Sequence, residues 1–180
     1  MTYCEDHPVR LVGGRLAIDF LNTADWRVDG TVAHEWIDTR ADLDIWLRAV
    51  GLSDASRPAS IDQLHTFRDE LRRMFTGTPG VTTSNLQESL KQLRIAPRNL
   101  VSNLRRQPML GLIAVSALSI LSDPRELNRL KMCPGKDCGW MFVDETKNAR
   151  RKWCAMDLCG NRAKALRSYE RKVRALRASA

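Results

Sequence analysis

No stretch of the 180 residues approaches the roughly 20 consecutive apolar residues that a bilayer-spanning helix needs, so no membrane span is expected. The opening MTYCEDHPVR is acidic and polar where a secretory leader is basic and then apolar. The expected location is therefore the cytoplasm, with no membrane partner. Catalytic signatures are also missing: there is no nucleophile elbow, no phosphate-cradling glycine loop and no histidine-carboxylate cluster at metal spacing. These absences argue for a binding protein and against an enzyme. Internal repeats and low-complexity linkers are absent as well, so the parts of the chain are expected to pack together or join closely. Cysteine is rare outside one place, since four of the five fall between 133 and 159 and only Cys4 lies elsewhere. In a reducing compartment such clustering favours a metal over disulfides.

A hydrophobic content of 43% is enough for a real core, and the length suits one medium domain with a small appended module. Charge is distributed unevenly. Residues 1–130 hold 16 basic and 16 acidic residues, whereas residues 131–180 hold 13 basic against 5 acidic, so the whole net charge of +8 lies in the last 50 residues. A neutral domain joined to a polyanion-binding module has this signature. The boundary falls near residue 130.

The N-terminal part reads as mainly helical. Gly13-Gly14 turns the chain between two short apolar runs, the second of which opens either a strand or a helix. Asp38 or Thr39 caps a helix carrying Leu43, Trp46, Leu47 and Val50 at helical spacing, with Gly51 to end it. Ser60 caps another, with Leu64, Phe67, Leu71, Met74 and Phe75 on its buried side. TPGVTTSN reads as a loop, Leu86, Leu90 and Leu93 mark a short helix, and PMLGLIAVSALSIL (108–121) is apolar nearly all round, which predicts the central buried helix. Asp123, Pro124 and Glu126 suit the N-cap, N1 and N3 positions of one more short helix. The stretch between Pro97 and Pro108 carries no assignable pattern.

The cysteines read Cys133-x4-Cys138-x15-Cys154-x4-Cys159. Two close thiolate pairs brought together by an intervening fold supply the tetrahedral soft ligands that zinc prefers. Pro134 and Gly135 favour a tight reversal inside the first pair. WMFVD (140–144) is strand-like, and RRKWC (150–154) is expected to return as a second strand. Asp157 is a candidate N-cap for a helix whose first turn holds Cys159 near the positive end of the dipole. Knuckle, hairpin and helix together make a treble clef, and the fold class expected for the whole chain is α+β, mainly α. One structural Zn²⁺ on Cys133, Cys138, Cys154 and Cys159 lowers the segment's charge from +8 to about +6, which leaves the electrostatic argument standing. His7, His34, His65 and Cys4 are expected to be bystanders.

Beyond Cys159 a helical wheel separates two faces. Leu166, Tyr169, Val173 and Leu176 form an apolar stripe, and Lys164, Arg167, Arg171 and Arg174 lie opposite. Such a basic stripe suits a phosphate backbone, with Arg150, Arg151 and Lys152 extending the footprint. DNA is the expected partner. RNA, with Trp140 or Trp153 stacking on bases, and a protein partner remain the alternatives. Arg162 falls beside the apolar stripe and reads as structural.

The segment CPGKDCGWMFVDETKNARRKWCAMDLCGNRAK resembles the CGNR zinc finger over about residues 131–172, with Cys159-Gly160-Asn161-Arg162 as the string that gives the family its name. Proteins of that family usually carry an N-terminal ABATE domain, and GRLAIDFLNT (14–23) followed by DLDIWLRAVGL (42–52) is similar to its opening. The resemblance implies a bacterial, stress-related transcription regulator with a DNA-binding treble clef. It also implies an N-terminal domain that senses a small-molecule effector; Asn161, beside Arg162, is likewise expected to be structural. Asp19, Asn22 and Thr23, polar residues inside an apolar motif, are the candidates for lining a ligand pocket; the plainer reading has them satisfying buried backbone groups. Trp26, Trp36 and Trp46 are expected in the core.

Overall fold

A computed structural model of the chain describes residues 9–93, 104–136 and 138–178. Cys4, His7 and most of the stretch between Pro97 and Pro108 lie outside the described residues. The apolar run after Gly13-Gly14 is helix α1 (Leu16–Leu21), which settles the strand-or-helix choice. A short antiparallel pair follows, β1 (Ala24–Trp26) with β2 (Val32–Glu35), a sheet within the part expected to be helical.

Helix α2 (Arg40–Ala49) starts at Thr39, whose side chain accepts from the Asp42 N–H while the Asp42 carboxylate accepts from the Thr39 N–H. This reciprocal pair satisfies two donors that the first turn would otherwise leave bare. Ser60 caps α3 (Ile61–Phe75) by accepting from the Gln63 N–H, while the Gln63 side chain accepts from the Ala59 N–H one residue earlier. Helix α4 (Ser84–Lys91) begins inside the stretch expected to be a loop, because the Glu70 carboxylate on α3 accepts from the N–H groups of Asn85 and Leu86 and so serves as a cap from a distant part of the chain. Helix α5 (Met109–Ser122) is buried through its first half, Met109 to Ala114, but its second half leaves Val115 and Leu118 exposed, so it is a core helix with one open face and not buried all round as expected; Asp123 caps the short α6 (Pro124–Leu127).

The two strands of the C-terminal module are β3 (Leu130–Met132) and β4 (Met141–Val143), paired antiparallel from Leu130 opposite Val143 to Met132 opposite Met141. The expected partnership of WMFVD with RRKWC is thus corrected: the strand before Cys133 is the partner, and residues 150–154 are not a strand. A π-helical turn (Met156–Gly160) then leads into α7 (Asn161–Ala178). The architecture is α+β and mainly α.

Strand alternation in β4 joins the two halves. Met141 and Val143 enter the core built by α1, α2, α3 and α5, whereas Phe142 turns to the cysteine cluster. The residue-130 boundary therefore divides the sequence but not the hydrophobic core. Asn22, at the end of α1, clamps β4 through its amide, with Nδ2 donating to Met141 O and Oδ1 accepting from Met141 N, both at 2.8 Å. Arg68, buried on α3, donates through Nη1 to Glu35 at 2.6 Å and to Thr23 Oγ1 at 3.1 Å, tying α3 to β2 and to the end of α1.

Replacing Asn22 by alanine strands a buried N–H and a buried carbonyl of β4. The expected loss is about 2 kcal/mol or more in urea denaturation, with both halves unfolding in one transition.

Candidate metal centre and nucleic-acid interface

The four Sγ atoms of Cys133, Cys138, Cys154 and Cys159 lie within 4.8 Å of one another, and all four residues are buried. Cys138 to Cys154 and Cys154 to Cys159 each measure 3.7 Å between sulfurs. That is far too long for a disulfide bond of about 2.05 Å. It matches the edge of about 3.8 Å that a tetrahedron of Zn–S bonds of about 2.3 Å requires. The cluster holds one structural zinc. With four protein thiolates the coordination sphere is closed, so the ion supplies a cross-link and no open position for a substrate.

Local chemistry explains how the sulfurs converge. Within the first pair the chain reverses through Gly135, where a Cβ would come within 2.9 Å of Cys159 Sγ, so a side chain there would push into the ligand shell. Cys133 N donates to Trp140 O at 2.7 Å, closing the knuckle above the β3–β4 pair. Gly139 has φ +58°, and a Cβ there would meet the Trp26 backbone oxygen at 2.8 Å, which brings the knuckle against β1; Trp26 N donates to Cys138 O at 3.2 Å. Arg72 of α3, buried over the Trp26 ring at 4.8 Å, has its pKa pushed down to about 10 by burial, an effect partly offset by the nearby Cys138 thiolate.

The second pair is placed by Asp144. Burial works against its charge, yet Lys131 Nζ at 2.6 Å, the Thr146 hydroxyl and N–H and the Arg151 N–H outweigh this and hold the carboxyl well below the usual carboxylate range. Lys131 also donates to the carbonyls of Ala149 and Arg151. These bonds wrap residues 144–151 as a loop, which is why no second strand forms there. Asp157 is not the N-cap; its carboxylate pairs with Arg10 at 2.8 Å, and Ala155 occupies the cap position. Cys159 does fall in the first turn of the helical segment, at its positive end.

On α7, Lys164, Arg167, Arg171 and Arg174 line one open groove, with Glu170 among them. Arg150 and Lys152 are exposed and border a separate shallow depression beside Lys131 and Pro134. Arg151 differs from its neighbours. Its guanidinium donates to Val12 O at 2.9 Å, to Trp153 O at 3.1 Å and to Cys154 O, and it lies 4.2 Å from the Phe142 ring centre, so it is committed to the fold and is removed from the predicted nucleic-acid contacts. Trp140 is buried and cannot stack on bases; Trp153 is half-buried with Lys152 Nζ 5.2 Å from its ring. The apolar stripe of α7 is exposed, with Leu166 at 53%, Tyr169 at 66% and Leu176 at 71%.

Asp19, Asn22 and Thr23 all lie on the wall of one cavity between the two halves. Their polar atoms already serve the fold: Asp19 accepts from Gly13 N at 2.7 Å, Thr23 donates to Phe20 O at 2.7 Å, and Asn22 holds β4. Burial pushes the Asp19 carboxyl up to about 6 against the pull of the Gly13 and Val12 N–H groups. Asn161 makes a long contact of 3.4 Å to Asp157 O, and Arg162 borders the same cavity. Sequence reasoning missed Asp25, Trp36 and Trp140 on that wall. Their signal, a lone aspartate between buried residues in TADW, is legible only once β1 is known. Trp26 and Trp46 are core residues as expected, while Trp36 is half-buried. His34 packs on Trp36 and His65 bonds to Ile37 O, so neither joins the metal cluster. Among the described residues no helix is long and apolar enough to cross a membrane.

Comparison with known proteins gives two family matches. A family described as "CGNR zinc finger" matches residues 129–172, and the ABATE family, described as "Putative stress-induced transcription regulator", matches residues 14–124. No curated protein matches the chain.

Purified protein should contain one zinc per chain by metal analysis. Replacing Cys154 by serine, or treating the protein with a strong chelator, should remove the zinc and open the β3–β4 module, seen as increased exposure of Trp140 to a soluble fluorescence quencher.

Proposed function

The chain belongs to the ABATE family and carries a CGNR zinc finger, and from this we propose that it is a zinc-dependent, DNA-binding transcription regulator of the cytoplasm rather than an enzyme. The observation that carries the reading is the groove of Lys164, Arg167, Arg171 and Arg174 on α7, which continues directly from the π-helical turn that carries the ligand Cys159. Zinc fixes one end of α7, and the spacing of the four cations along one face suits successive phosphates of a nucleic-acid backbone. Arg150 and Lys152 supply further positive charge from the loop before Cys154. Contacts of this kind orient the protein and carry no base specificity by themselves, so the operator is set by groups still to be identified.

One observation favours a second reading as a protein-interaction module: the apolar stripe of Leu166, Tyr169 and Leu176 is uncovered along much of α7.

The double substitution Lys164→Glu and Arg167→Glu should weaken binding to duplex DNA by at least about tenfold at moderate salt and flatten the log–log salt slope by about 2. The measurement is a fluorescence-anisotropy titration over a salt series, with a matched RNA run beside it. Unchanged DNA affinity would overturn the DNA reading, and a clear preference for RNA would change the polymer.

A further inference from the structure

Helix α3 carries two buried arginines one turn apart, Arg68 and Arg72, and both guanidinium groups lie over the Trp26 ring, at 5.6 and 4.8 Å from its centre. Arg68 has the carboxylate that a buried cation calls for, since it donates to Glu35 through both terminal nitrogens. Arg72 is paired with no carboxylate among the described residues. At 4% exposure it makes one weak contact, Nη2 to Met132 Sδ at 3.6 Å, while its Nε and Nη1 have no hydrogen-bond partner among the described residues. An unpaired buried cation is costly, so another kind of negative group must answer its charge.

The surroundings of Arg72 identify that group. Met132, which it touches, directly precedes the ligand Cys133, and Trp26, on which it stacks, donates its backbone N–H to Cys138 O at 3.2 Å. The guanidinium is thus held against both ends of the knuckle that carries the first ligand pair. Four thiolates around Zn²⁺ leave a net charge of about −2 there. The Cys138 thiolate also favours the charged form of Arg72 against the effect of burial. We propose that Arg72 is the counter-charge of the zinc centre, a positioning residue on the N-terminal half that helps the first thiolate pair keep the ion without binding it. Metal retention by the C-terminal module then depends on a side chain of the other half. The guanidinium holds electron density on the sulfurs, which makes them less open to electrophiles and competing metals. Neither effect involves the basic face of α7, so the proposal rests on the metal assignment and not on the nucleic-acid reading.

The test uses full-length protein loaded with zinc or, for spectroscopy, with cobalt(II). Arg72→Met removes the charge and keeps a long apolar chain that suits the buried site. Zinc affinity, measured by competition with a chromogenic chelator at neutral pH, should fall by about tenfold. In the cobalt form the sulfur-to-metal charge-transfer band should move to longer wavelength, because thiolates that have lost a neighbouring cation give up electron density more readily. Arg72→Lys should restore most of both properties. A purely structural role predicts something else: zinc loss that follows the fall in the urea midpoint, an unshifted band, and a lysine variant no better than the methionine one. Should Arg72→Met not fold, Arg72→Gln, polar but uncharged, is read in the same way. Unchanged zinc affinity, a band that stays in place, or no recovery by lysine would overturn the proposal. Parent protein that held no zinc would instead overturn the metal assignment itself.

Discussion

Four buried thiols within bonding reach of one point are held together by a cation or not at all. Without a metal, four ionised sulfurs at this separation repel, and four protonated ones have little to offer each other. The ion makes the knuckle, the chain at Cys154 that follows the loop of 144–151, and the π-helical turn before α7 parts of one object, and it gives the basic helix a fixed root. Everything the C-terminal segment presents to a partner is referred to that point. The surrounding protein carries the electrostatic consequence, for Arg72, on a helix of the other half, lies buried near Cys138.

The metal does not act alone. β4 is buried on both faces, with Met141 and Val143 set in the N-terminal core and Phe142 in the cysteine cluster. Three short links cross the same seam: the Asn22 clamp, the Trp26–Cys138 backbone bond and the Arg151–Val12 bond. Each satisfies a group that would otherwise be stranded, so they specify register more than they add stability. The cavity walled by Asp19, Asn22 and Asp25 interrupts this same seam.

Much of this was legible in the residues, for local reasons. The caps at Thr39, Ser60 and Asp123 act within one turn of their own helix, and the cysteine spacing states its geometry directly. What was hidden depended on distant partners. Helix α4 begins where Glu70, on another helix, supplies its cap. β1 and β2 are three and four residues long and carry mixed polarity, so no period announces them. The partner of β4 differs from the one expected because β3, three residues long, carries too little pattern to read as a strand. The knuckle settles the choice, since it already reverses the chain between Met132 and Met141, while Asp144 and Lys131 occupy the backbone of 149–151. Arg151 looked like its neighbours Arg150 and Lys152, because a run of cations does not reveal which one turns inward. The period of the α7 stripe was readable, but whether anything covers it was not.

A strand shared between two cores has an evolutionary corollary. Zinc fingers are often treated as interchangeable beads, moved between genes as complete units, yet here the bead would leave with half of its hydrophobic seat and its donor would keep an open trough beside α1. Recombination near residue 130 would separate Asn22 from Met141 even though it broke no helix. The two segments are therefore expected to be inherited, and to diverge, as a matched pair.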